Sequence, residues 1–204
     1  MLFDDTYKTI QYPSEGTFKD KGSKFLAFAY PLESQLELKG ILNNLKSFHP
    51  RANHYCWALR LSPDRSIFRI NDDGEPPGTA GRPILNILLS CDLTNVLVVV
   101  VRYFGGTLLG VPGLINAYKT ATQEAINNSD IIELTIKSVY EIKFDHSKMN
   151  EVMKIAKEET LTIKNQMFDS VCTIQVEIRQ ASQENILSRF RMIKDINLKY
   201  ISTG

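Results

Sequence analysis

The sequence predicts an α+β protein built as two domains, and three observations predict it. Strand and helix periodicities interleave over the first 130 residues. One wholly apolar run, Val96 to Val101, has the length of a strand and lies between two glycine-rich segments. After Asp130 the texture changes to short elements in the order strand, helix, strand, strand, helix, strand. The domains this implies are 1–136 and 137–204.

Each element has a local reason. Ser23–Pro31 reads as a strand. From about Ser34 to Phe48, Leu38, Ile41, Leu42 and Leu45 repeat at the spacing of one buried helix face. In His54–Leu61, Tyr55, Trp57, Leu59 and Leu61 are expected to face the core, with His54, Cys56, Ala58 and Arg60 on the opposite side. Ser66–Ile70 follows as a hairpin partner across Pro63-Asp64-Arg65. Thr79 is placed to cap a helix running to about Ser90, with Pro83 tolerated in its first turn. Val96–Val101 is apolar on both faces, so it is expected as a central strand covered on both sides. Gly113–Asn127 then carries Leu114, Tyr118, Ala121 and Ala125 on one helical stripe.

In the second domain the strands alternate through Tyr140, Ile142 and Phe144, through Leu161, Ile163 and Met167, through Cys172, Ile174, Val176 and Ile178, and through Ile196, Leu198 and Tyr200. Two helices carry Met149, Val152, Met153 and Ala156, and Ile186, Phe190 and Ile193. One apolar face per strand predicts an antiparallel sheet covered by helices on one side, and the order is the ferredoxin-like βαββαβ plan. An RNA-recognition motif shares that plan but stacks bases on exposed aromatics. Here the third strand offers Val171, Thr173, Gln175 and Glu177 on its outer face, which excludes that motif and leaves a partner-docking or backbone-contacting module.

Composition excludes other classes. A formal charge of +1 is not that of a strongly basic nucleic-acid binder. Arg51, Arg60, Arg65, Arg69, Arg82 and Arg102 nevertheless lie in one stretch, as a solvated ion-pair surface or an anion-facing patch. Cys56, Cys91 and Cys172 are widely spaced with no C-x-x-C pair, as in a reduced, cytoplasmic protein without a zinc site. The acidic start Met-Leu-Phe-Asp-Asp is unlike a signal peptide, and no apolar run is long enough to cross a bilayer. No membrane partner is expected.

The candidate site lies in the two glycine-rich segments, which hold seven of the eleven glycines. In the first, Asp72, Asp73 and Glu75 could hold magnesium, or could shape a turn and pair with arginines. In the second, Gly105, Gly106, Gly110 and Gly113 join a central strand to a helix, where backbone N–H groups favour anions; a tight structural connection is the alternative. Neither nucleotide fingerprint is present. Arg82 and Arg102 are the best cations to accompany an anion, with Lys119 beside them. His54 and Cys56 share a strand face, but their roughly 7 Å Cα spacing is long for proton transfer, so His54 reads as a binding-surface residue. His49 and His146 read as surface histidines.

Asp72-Asp-Gly-Glu-Pro, Gly78-Thr-Ala-Gly, Arg102-Tyr-Phe-Gly-Gly and Gly113-Leu with Ala117-Tyr closely resemble the signature of the YigZ/IMPACT family. Asn71, Val101, Pro112 and Asn116 depart from its usual Ser, Thr, Gly and Arg. The resemblance implies an N-terminal α/β domain like domain IV of elongation factor G and the GHMP kinases, followed by the ferredoxin-like domain. It implies a non-enzymatic cytoplasmic regulator of translation or the stress response, because eukaryotic IMPACT relatives modulate the amino-acid-starvation response. The expected partner is RNA, the ribosome or a translation-associated protein. The alternative is an enzyme or binding protein for a phosphorylated small molecule. The expected binding set is His54, Arg60, Asp72, Asp73, Glu75, Thr79, Arg82, Arg102, Tyr103, Gly105, Gly106, Gly110, Gly113 and Lys119, with no catalytic residue, metal ligand or cofactor.

Overall fold

A computed structural model describes residues 5–204. The described residues form two compact units, 7–134 in one and 5–6 with 135–204 in the other. The first part of the chain runs β1 (Thr6–Ile10), β2 (Ser14–Asp20), β3 (Ser23–Pro31), α1 (Leu38–Phe48), β4 (His54–Leu61), β5 (Ile67–Asn71), α2 (Gly81–Ser90), β6 (Val96–Tyr103), α3 (Gly110–Asn127) and β7 (Ile131–Thr135). β1 and β7 pair with each other, and the other five strands form one sheet in the order β2-β3-β6-β4-β5, every neighbouring pair antiparallel.

β6 occupies the centre, and Val96 to Val101 are fully buried because both faces of the sheet are covered. On one face Val96, Val98 and Val100 join Phe25, Ala27, Ala29, Cys56 and Ala58 against Ile84, Leu88, Leu114 and Ala121 of α2 and α3. On the other, Leu97, Val99 and Val101 join Leu59 and Leu61 against Leu38, Ile41, Leu42 and Leu45 of α1. The expectation of a single core face on β4 is therefore corrected. Cys56 and Ala58 are as deep as Leu59, since small residues on that side let the helices approach closely. α3 lies so near β2 that a Cβ on Gly16 would stand 2.3 Å from the Ala125 nitrogen.

Two crossovers give the sheet its topology. β3 and β4 are parallel with β6 between them, joined through α1; β5 and β6 are parallel with β4 between them, joined through α2. From the first crossover to the second, the strand direction, the sense of movement across the sheet and the covered face all reverse. Three reversals invert the hand, so one crossover is left-handed, a rare arrangement.

The sequence reading missed β1, β2 and β7. β2 turns Ser14 and Gly16 inward, with Phe18 partly buried on the same side, so its pattern carries little hydrophobic alternation. Ser14 Oγ instead donates to the Ala125 carbonyl at 2.8 Å. Lys21 and Gly22 both take positive φ, the geometry of a tight two-residue hairpin between β2 and β3. α3 starts at Gly110, three residues before the expected Gly113, with Pro112 in its first turn.

The second unit contains β8 (Lys137–Phe144), α4 (Met149–Glu158), β9 (Thr162–Phe168), β10 (Cys172–Arg179), α5 (Gln183–Arg191) and β11 (Asn197–Thr203). Its antiparallel sheet has the order β11-β8-β10-β9, the ferredoxin-like plan, and its core joins Ile142, Phe144, Cys172, Ile174, Val176 and Ile178 to Val152, Ile155, Ile186 and Phe190. On the outer face Glu177 stands between Lys137 and Lys164 at 3.5 and 2.8 Å. Asp5 holds the Arg179 guanidinium through both carboxylate oxygens, at 2.6 and 2.9 Å, and accepts the Ala181 N–H. These hydrogen bonds, Arg179 foremost, keep the Asp5 carboxyl below its ordinary range. All three cysteines are free. No helix among the described residues is long and apolar enough to cross a membrane.

Candidate functional site

Sheet register assembles the centre of the site. Arg102 of β6 is paired with Phe25 of β3 on one side and His54 of β4 on the other, which sets the three side chains in a row on the α2/α3 face. The Arg102 guanidinium lies 5.3 Å from the Phe25 ring centroid and 5.6 Å from that of Phe104. Tyr118 of α3 packs edge-on against Phe25 at 5.1 Å.

The loop from β5 to α2 brings a carboxylate into this row. Glu75 Oε1 accepts from Arg102 at 2.5 Å and from the Tyr118 hydroxyl at 2.7 Å. His54 Nε2 stands 4.0 Å from the same oxygen. Its Nδ1 lies 2.8 Å from the Asp73 carbonyl, which can only accept, so Nδ1 is the donor. The Cys56 thiol lies 3.0 Å from the Asp72 carbonyl and 3.2 Å from the Tyr118 oxygen. Glu75 and Arg102 are buried, with side chains 3% and 6% exposed, and Arg102 Nε has no hydrogen-bond partner among the described residues. His54 reaches the rim, its side chain a quarter exposed.

The other two acids shape the backbone. Asp72 accepts from the Gly78, Ala80 and Gly81 N–H groups at 2.9, 3.1 and 2.8 Å, placing a carboxylate on the α2 N-terminus. Asp72 is thus the cap expected of Thr79. The Thr79 hydroxyl donates instead to the Pro76 carbonyl at 2.7 Å, because the loop folds back before the helix begins. Asp73, at φ +43°, accepts the Tyr55 N–H at 2.6 Å, while its own N–H goes to Asn71 Oδ1 at 2.7 Å. The three carboxylates point to three different destinations, and among the described residues no group of three His, Cys, Asp or Glu could hold a metal ion.

The loop from β6 to α3 is anchored at its root and free at its tip. Phe104 N–H donates to Asn53 Oδ1 at 2.8 Å, and Gly105 N–H to Ser23 Oγ at 3.1 Å. Gly105 lies on the β2–β3 turn, so that a Cβ there would stand 1.9 Å from the Gly22 carbonyl carbon. Gly106 and Gly110 have φ of +86° and +70°, with open space or ordinary contact around them. Gly113 is packed against Leu109. Leu108, at the tip, is 82% exposed, and the N-terminus of α3 has no side-chain cap among the described residues. Between α2 and α3 lies a recess of about 320 Å³ lined by Gly78, Arg82, Pro83, Asn86, Ile115 and Lys119.

Two expected residues lie elsewhere. Arg60, near the far end of β4, is buried against the Leu93 carbonyl and Asp92. Tyr103 turns to the α1 face, where its hydroxyl meets His49 Nδ1 at 2.9 Å; His49 is half-buried there rather than a free surface histidine. Arg102, expected as a cation for an outside anion, is committed to Glu75. Cys56, Tyr118, Asn53 and Ser23 belong to the site and were missed. Tyr118 was legible as the polar tip of an otherwise apolar stripe. Chemically the centre offers little reactivity: burial pushes the Cys56 thiol and the Tyr118 hydroxyl far up, leaving both neutral.

Comparison with known proteins places this arrangement. The Impact N-terminal domain matches residues 21–126. An IMPACT family member of Haemophilus influenzae is 32% identical over 155 residues, covering 74% of each chain. The IMPACT family member YvyE of Bacillus subtilis is 30% identical over 159 residues, covering 78% of this chain and 73% of its own. A crystal structure of a hypothetical protein superposes with a TM-score of 0.74 over 97% of this chain and 98% of that one, at 24% identity, a likeness of fold. The matched region contains both loops and every residue of the buried network, and the chain belongs to the IMPACT family.

Proposed function

We propose that this protein is a non-enzymatic cytoplasmic regulator of translation, acting by binding a protein or RNA component of that machinery. One observation carries the reading. Glu75, Arg102, Tyr118 and Asp72 are engaged in fixing the β5–α2 loop to β6, α3 and the start of α2, while the tip of the β6–α3 loop at Leu108 stands in solvent. An enzyme needs a titratable group within reach of its substrate, whereas a binding protein needs a shaped exposed surface on a rigid support. The family resemblance supplies translation as the setting.

The test is affinity capture with the full-length protein from cell lysate, with and without RNase, beside a Leu108→Asp variant. Ribosomal proteins or translation factors should be retained by the wild type and lost from the variant, and RNase sensitivity assigns the contact to RNA or protein. Recovery of no translation component above a bait-free control overturns the reading. A rival, binding of a phosphorylated small molecule, draws on the uncapped α3 N-terminus and the unpartnered Arg102 Nε. Calorimetric heat with nucleotides or sugar phosphates, abolished by Arg102→Met, would favour it.

A further inference from the structure

The outer surface of α2 and α3 has a pattern that the buried network does not use. Val111 and Ile115 of α3 follow one another at helical spacing and are 52% and 39% exposed, Lys119 continues their line one turn on, and Leu108, 82% exposed, lies in the loop just before the helix. The line runs beside the recess whose opposite wall is Arg82, Pro83 and Asn86. Arg82 and Lys119 are exposed, and neither makes an ion pair among the described residues. Between Glu75 and Glu124 the sequence has a single acid, Asp92, and that one is held by Arg60 and Arg65. The recess is therefore apolar at Pro83 and Ile115 and positive at Arg82 and Lys119, with no carboxylate side chain in its lining among the described residues; the Asp72 carboxylate that meets the Gly78 N–H is occupied by three backbone donors.

We propose that this recess is a docking groove for an acidic amphipathic helical segment of a partner protein. The inference rests on the binding-protein reading above and names its partner class. Charge complementarity selects the occupant. Two unpaired cations flanking apolar side chains match a helix with apolar residues at i, i+3 or i+4 and i+7, bordered by Asp or Glu. A nucleic-acid strand needs a row of cations along its phosphates and gains nothing from Val111 and Ile115. The nearby third cation, Arg102, is already neutralised by Glu75.

Panning a phage-displayed random peptide library on the full-length protein tests the proposal, with Arg82→Glu/Lys119→Glu as the counter-screen. Both positions are exposed, so the variant keeps its fold, which its urea melt checks. Enriched peptides should combine helical apolar spacing with flanking acids. By fluorescence anisotropy a selected peptide should bind the double variant on the order of 30-fold more weakly than wild type. The same peptide with Lys in place of each acid should regain affinity for the variant. Enrichment of no acidic motif, or equal affinity for both proteins, overturns the proposal. Oligouridine binding that the double variant abolishes would give the groove to RNA instead. A concentration-dependent dimer dissolved by Leu108→Asp would give it to a second copy of this chain. Failure of the translation reading shows in the lysate capture and leaves the peptide result standing.

Discussion

Replacing Glu75 by Gln separates a scaffold role from a ligand-facing one. Gln keeps the shape and still accepts from Tyr118, but it leaves the Arg102 charge buried without a counter-charge. The Phe25 and Phe104 rings lie near the guanidinium in both proteins, so they do not compensate the change. Breaking one partner of a buried pair costs about 3–5 kcal/mol. With a urea m-value of about 2 kcal/mol/M, the midpoint should fall by roughly 1.5–2.5 M. The single tryptophan, Trp57, sits on β4 in the same unit and reports its unfolding. A Glu75→Leu/Arg102→Met double variant, which removes both charges, should recover to within about 1 kcal/mol of wild type. A Glu75→Gln protein within about 1 kcal/mol of wild type would refute the reasoning. It would mean that the pair is solvated and open to an outside ligand.

Three further outcomes are expected. Gly105→Ala, whose Cβ would meet the Gly22 backbone at 1.9 Å, should cost about 3 kcal/mol or more, whereas Gly106→Ala, strained only by its φ of +86°, should cost about 1 kcal/mol; equal melting temperatures for the two would contradict the packing. Asp5→Asn should destabilise the 135–204 unit at neutral pH. Because the folded Asp5 carboxyl lies below its ordinary 3.8, its contribution is present above that value and disappears as pH falls through the folded one, so wild type and variant should converge in acid urea melts. We also propose that 1–136 and 137–204 are separable domains. A 137–204 fragment should unfold cooperatively, but at a lower temperature than the same unit in the full chain, because Asp5 is missing; an unfolded fragment would move the boundary.

The elements that the sequence made legible are those whose burial is one-dimensional. Val96–Val101 had to be central because no polar residue interrupts it, and α1 announced its single buried face through Leu38, Ile41, Leu42 and Leu45. β2 was illegible because its two buried positions are Ser14 and Gly16, chosen by the closeness of α3 rather than by hydrophobicity. The crossover hand was also out of reach, since local periodicity is identical for either hand and the prior favours the wrong one. At the site, the glycine loops and the acids were visible, but their partners were not. Whether Asp72 holds an ion or three backbone N–H groups depends on a fold-back that spacing along the chain does not encode. Arg60 and Tyr103 were misplaced for a simpler reason: the far end of β4 and the opposite face of β6 look locally like the site itself.

The four departures from the family signature sort by where they fall on this architecture. Asn71 Oδ1 accepts the Asp73 N–H, a turn contact that a serine hydroxyl can also make, so that change leaves the loop intact. Val101 is buried in the central strand, where an apolar side chain fits the packing. Pro112 and Asn116 are different. Both are exposed on the first two turns of α3, each directly following one of the residues Val111 and Ile115 that run beside the proposed groove. A turn contact kept at Asn71, an apolar side chain in the core at Val101 and unlike residues on the exposed face of α3 are what a fixed scaffold with a partner-specific rim requires. Substitutions in the buried network should therefore lower stability and binding together. Substitutions at Leu108, Ile115, Pro112 and Asn116 should move binding alone, and the urea midpoints measured beside the peptide affinities decide between the two.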